Sequence, residues 1–103
     1  MTAHDSPVIN SDIPVIVNFH AEWCEPCKTL TPMMTQMLEP MKDIDLAIVD
    51  VDSNIDLVRT FEVKAVPAIL AYRNGVVVDK FIGLVDNTMI ENLIKKLQKK
   101  KET

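Results

Sequence analysis

The chain's only two cysteines stand two residues apart in Trp23-Cys24-Glu25-Pro26-Cys27-Lys28, and the segments on either side fix what such a pair can belong to. Before it runs Ile13-Pro14-Val15-Ile16-Val17-Asn18-Phe19-His20, nearly continuous in apolar and β-branched residues, as a strand buried on both faces should be. After it, Leu30, Met33, Met34, Met37, Leu38 and Met41 recur at helical spacing. Pro26 suits the first turn of that helix, where an amide hydrogen has no partner to lose. A strand that feeds a helix through Cys-x-x-Cys places its first sulfur at the helix N-terminus. The free amides and the positive end of the macrodipole there favour a thiolate, the form that attacks disulfides.

The same reasoning orders the rest of the chain. A strand over 13–20 is followed by a helix over 25–41, kinked at Pro32 and ended by Pro40. A second strand over 44–51 is parallel to the first, because a helix connects them. Ser53 or Asn54 caps a short helix reaching Glu62, with Ile55, Leu57, Val58 and Phe61 inward. Strands over 67–72 and 76–82 flank the hairpin signal Asn74-Gly75, whose residues both tolerate positive φ. Asp86 or Asn87 caps a last helix to about residue 100, with Ile90, Leu93, Ile94 and Leu97 on one face. The pattern β-α-β-α-β-β-α predicts one layered α/β domain over 13–100, between a polar lead-in at 1–12 and a tail at 101–103.

The bulk properties narrow the function. A net charge of −4 disfavours nucleic acid as a partner. No apolar run approaches the roughly 20 residues that span a bilayer, so no membrane contact is expected. Met-Thr-Ala-His-Asp-Ser-Pro reads as neither a signal peptide nor an Arg-rich transit peptide. Two cysteines are too few for a secreted disulfide scaffold, and a close pair in a reducing compartment reads as catalytic or metal-binding.

The run Phe19-His20-Ala21-Glu22-Trp23-Cys24, with Pro32, Ala65-Val66-Pro67-Ala68, Asn74-Gly75 and Gly83, resembles thioredoxin over most of the chain. His20 and Val78-Asp79-Lys80-Phe81 look more like the mitochondrial type. The resemblance implies a thioredoxin-like fold, a central mixed four-stranded sheet flanked by helices. It implies a protein dithiol–disulfide oxidoreductase in which Cys24 attacks a target disulfide and Cys27 resolves the mixed disulfide. Trp23, Val66, Pro67 and Gly83 would meet the substrate chain, with a cis peptide bond after Val66. Thioredoxin reductase would recharge the pair, the targets would be disulfide-containing proteins, and no bound cofactor or metal is expected. The implied location is the mitochondrial matrix, the alternative the cytoplasm.

Three departures set further expectations, and Glu25, Pro26, Lys28 and Asn18 are the residues expected to tune the redox pair. The family's first β-α unit is mostly missing ahead of residue 13, so strand 44–51 should be an open sheet edge prone to self-association unless residues 1–12 cover it. Asn18 stands where the family has a buried aspartate thought to help deprotonate the second cysteine, and Ile48 where it has the partner lysine. Glu25 replaces a glycine between the cysteines, which should raise the Cys24 pKa and make the disulfide more reducing; Lys28 partly offsets it.

Competing readings remain open from sequence. The cysteines with His4 and His20 would be half of a zinc site or a metal bridge between two copies. Asn18 and the short N-terminus also fit a binding module with weak redox chemistry. Met33, Met34, Met37 and Met41 read as helix core rather than an adaptable binding stripe, His20 as strand-end packing rather than a base or ligand, Asp50 and Asp52 as a solvated loop and helix cap rather than a metal pair, and Lys95, Lys96, Lys99, Lys100 and Lys101 as a solvated helix end.

Overall fold

The computed structural model describes residues 13–83 and 85–99, the last by its backbone alone. In chain order the elements are β1 (Val15–His20), α1 (Glu25–Leu38), β2 (Asp45–Asp50), α2 (Ile55–Thr60), β3 (Ala68–Arg73), β4 (Val76–Ile82) and α3 (Asn87–Lys99). The sheet order is β2-β1-β3-β4. β1 runs parallel to β2, from Val15 opposite Asp45 to His20 opposite Asp50, and antiparallel to β3. β3 and β4 form the hairpin, with Asn74 and Gly75 at φ 53° and 81°.

Because side chains alternate across a strand, β1 and β3 feed two cores. Ile16, Ile69 and Ala71 pack on one face with Leu30, Met34 and Leu38 of α1 and with Ile90, Leu93 and Leu97 of α3. Val15, Val17, Phe19, Ala68 and Leu70 pack on the other with Val49 and Val63, and Leu57, Val58 and Phe61 lie half-buried against them. Both faces of the central strands are covered, which is why β1 reads as an almost unbroken apolar run. The methionines of α1 join the first core, Met34 fully and Met33 and Met37 in part, and Met41, beyond the helix end, packs against it as well.

Several boundaries differ from expectation for local reasons. α1 stops at Leu38 rather than 41, where Glu39 N–H closes the last turn on Thr35 and Pro40 has no amide to continue. α2 is only six residues long, and Ile55, in its first position, is 52% exposed rather than inward. Neither expected cap forms on α2: the Asn54 side chain instead donates to the Asp50 carbonyl at 3.0 Å. Asp86 does cap α3, its Oδ1 accepting from Met89 N–H at 3.0 Å.

β2 is the outermost strand of the described sheet, with Val49 its one buried residue and Ile48 45% exposed. The expected cover from residues 1–12, the lead-in itself, and the tail at 101–103 lie outside the described residues.

Candidate functional site

Cys24 is the N-cap of α1, with extended φ and ψ of −94° and 109°. Serine or aspartate at such a position would offer an oxygen to the free amides of the first turn. Here Cys24 Sγ accepts from Cys27 N–H at 3.3 Å. The two sulfurs are joined as a disulfide, with Cα atoms 5.3 Å apart. In the reduced form the same amide and the helix dipole would act on a Cys24 thiolate. Both cysteines are more enclosed than the motif alone conveys: Cys24 is 5% exposed and Cys27 1%. They form a small cluster with Ala21, and Val51 and Val66 pack against it.

Trp23 stands out from this cluster at 66% exposure, held by a hydrogen bond from its indole Nε1 to Asp52 Oδ2 at 2.9 Å. Asp52 is fixed in turn because its N–H donates to Asp50 Oδ1 at 2.8 Å. Asp52, in the exposed loop after β2, therefore anchors the aromatic beside Cys24. Among the described residues, no group of three or more His, Cys, Asp or Glu is placed to hold a metal ion; His4 lies outside them.

The segment before β3 closes the site from the opposite side. The Val66–Pro67 peptide bond is cis, and the Pro67 carbonyl accepts from Gly83 N–H at 2.9 Å. Gly83 has φ +94° with open space where a Cβ would stand, so its backbone conformation rather than crowding calls for glycine. Two shallow apolar grooves flank the sulfurs. One, of about 180 Å³, runs among Pro26, Thr29, Leu30, Met33, Pro67 and Val85. The other, of about 210 Å³, lies beside Trp23 among Val51, Val58, Val63 and Val66. Cys24, Cys27, Trp23, Val66, Pro67 and Gly83 thus gather at one end of the sheet.

The tuning positions divide. Glu25 and Lys28 form an exposed ion pair one helical turn apart, Oε2 to Nζ 3.0 Å. Asn18 is fully buried on β1: its Nδ2 donates to Thr31 Oγ1 of α1 at 3.0 Å, and its Oδ1 has no partner among the described residues. Asn18 and Ile48 are register neighbours across β1 and β2. His20, at the end of β1, is half-buried on the wall of a third and larger groove that also reaches Cys27.

A helix capped by the first of two bridged cysteines, set against a proline loop at the end of a four-stranded mixed sheet, is the arrangement of a thiol–disulfide exchange fold. The comparisons agree. The thioredoxin family model matches residues 1–96. Mitochondrial thioredoxin of Mus musculus is 47% identical over 91 residues, covering 87% of this chain and 55% of that protein. The one from Bos taurus is 46% identical over the same length. Among solved structures, a mutant thioredoxin from Halobacterium salinarum superposes with TM-score 0.82 at 31% identity, over 94% of this chain and 84% of that one. Oxidised mitochondrial thioredoxin 3 from Saccharomyces cerevisiae gives TM-score 0.81 at 29% identity, over 92% and 89%. The chain belongs to the thioredoxin family. It spans about half the length of the mammalian relatives it matches.

Proposed function

We propose that the protein is a thioredoxin-type dithiol–disulfide oxidoreductase that reduces disulfides of other proteins. The observation that carries this reading is Cys24 Sγ seated as the helix cap, accepting the Cys27 amide and bridged to Cys27. The Cys24 thiolate attacks one sulfur of a target disulfide, forms a mixed disulfide and releases the other target sulfur as a thiolate. Cys27 then attacks Cys24 Sγ, breaks the mixed disulfide and leaves the target fully reduced. Two electrons have moved from the protein dithiol to the target, so the reaction needs no cofactor bound to the domain. Thioredoxin reductase returns them.

Trp23, the Val66 backbone, Pro67 and Gly83 form the target-facing surface, and the two apolar grooves support an extended chain lying across the sulfurs. The mitochondrial relatives support a place in the mitochondrial matrix. The test is insulin-disulfide reduction with thioredoxin reductase and NADPH. Sustained NADPH oxidation and insulin precipitation are expected. A folded protein at background rate would instead establish the redox-weak binding module, the reading favoured by the low exposure of Cys24 and by the uncharged Asn18.

Glu25 tunes the pair in this reading. A carboxylate about 7 Å from Cys24 at an effective dielectric near 20 repels a thiolate by roughly 2 kcal/mol before screening. Exposure and the Lys28 contact at 3.0 Å cut that to a fraction. Glu25→Gly is therefore expected to lower the Cys24 pKa by about half a unit, one unit being about 1.4 kcal/mol, and to make the disulfide less reducing. Alkylation rate against pH and equilibration with glutathione read both shifts; if neither moves, Glu25 is a bystander.

A further inference from the structure

Resolution requires Cys27, 1% exposed, to lose a proton at the moment it attacks. The buried polar side chain that bonds α1 one turn beyond Cys27, at Thr31, is Asn18, which has no basic site to take that proton. Cys27 nevertheless lines a groove of about 550 Å³ between the end of β1 and α1, whose walls are His20, Ala21, Glu22, Cys27, Lys28, Thr31 and Pro32. That volume holds many waters, each taking roughly 30 Å³. Thr31 Oγ1, on this wall, accepts from Asn18 Nδ2 behind it, and Asn18 Oδ1 is buried with no hydrogen-bond partner among the described residues. An orphaned acceptor of this kind is ordinarily met by water.

We propose that His20 is the proton acceptor for Cys27, reached through water in this groove. The proposal rests on the disulfide-exchange reading above. The other charged groups facing the site are Glu22 in the loop, Lys28 on α1 and Asp50, the register neighbour of His20 on β2. Lys28 pairs with Glu25, and Asp50 Oδ1 is occupied by Asp52 N–H. Imidazole alone among these side chains ordinarily changes charge between about pH 5 and 8, where a base for a thiol works best. The proton of Cys27 passes through water to the imidazole. The Cys27 thiolate attacks Cys24 Sγ, the Cys24–target bond breaks, and the imidazolium returns a proton to the departing target sulfur. The two cysteines end oxidised and the target sulfur reduced.

Stopped-flow reaction of the reduced protein with one equivalent of dithionitrobenzoate tests this, because it separates the steps. The first release of coloured thiolate reports attack by Cys24, and the second reports resolution by Cys27. His20→Gln is expected to leave the first release unchanged, to slow the second at least about tenfold, and to remove an inflection from its pH profile. In His20→Ala, added imidazole is expected to restore the second phase, a rescue that mere loss of packing would not show. Glu22→Gln is expected to change neither phase. A second phase with unaltered rate and pH profile in both His20 variants overturns the proposal while leaving disulfide exchange standing, as does slowing by Glu22→Gln in place of His20→Gln. Absence of the first release in the native protein overturns both.

Discussion

Cys27→Ser is expected to stop turnover and leave the protein covalently attached to its first target. The group that conditions Cys24 is the backbone N–H of residue 27, which donates to Cys24 Sγ at 3.3 Å and survives the substitution. The helix start, with Pro26 in its first turn, also survives. Attack by Cys24 should therefore proceed, and the mixed disulfide should accumulate because no other cysteine exists to resolve it. The kcat/KM for insulin reduction is expected to fall at least about a thousandfold, since the two thiols act as a unit. Mass spectrometry should show one target chain per protein, released by added dithiothreitol. Cys24→Ser is expected to be equally inactive but to form no adduct. Serine is a preferred N-cap, so that variant should keep its fold and isolate the chemical loss. Turnover by Cys27→Ser near the native rate would show that the buried sulfur has no part in resolution.

What the sequence disclosed and what it hid divide along physical lines. The elements that cross the core carry their own periodicity. β1 was legible from its run of β-branched residues, α1 from its methionine and leucine spacing, and the β3–β4 hairpin from Asn74-Gly75, whose positive φ values the structure shows. The pairing of Asn18 with Ile48 was legible only through the family resemblance, and the parallel register places the two side by side. Contacts between loops were not legible. The Trp23–Asp52 hydrogen bond joins residues 29 apart, and no local pattern distinguishes Asp52 from any acidic turn residue. Ile55 misled for a related reason: helical spacing says which residues share a face, but a helix of six residues is too short to bury its first one. For His20 the sequence offers a base or ligand as well as strand-end packing, and its position in the strand favours packing. Only the groove shared with Cys27 shows that it borders the site.

The largest change in stability is expected from Asn18→Asp, the substitution that supplies the family's carboxylate without its lysine. Asn18 is fully buried, Thr31 Oγ1 is the one hydrogen-bond partner of its side chain among the described residues, and its register neighbour Ile48 brings no charge. Burial pushes a carboxyl pKa up, because the charged form loses its hydration. In the unfolded chain the new carboxyl titrates near its ordinary value of about 3.9. Below about pH 4 both states are protonated, and the variant should be close to native stability. As pH rises, the unfolded state loses its proton first. The folded state then binds more protons than the unfolded one, and stability falls until the folded pKa is passed. At neutral pH the loss is expected to reach about 3–5 kcal/mol, the cost of an uncompensated buried charge. Against a total of about 5–15 kcal/mol for a domain, that is a large share. Ile48 is 45% exposed, so a lysine placed there can keep its ammonium near solvent while facing the carboxylate. Adding Ile48→Lys to Asn18→Asp should therefore recover part of the loss at neutral pH and little of it at pH 4. Urea midpoints across this range measure all three proteins. If the single variant parallels the native protein at every pH, position 18 is better hydrated than its burial implies. The neutral pair Asn18 and Ile48 would then not be what spares this fold a charge in its interior.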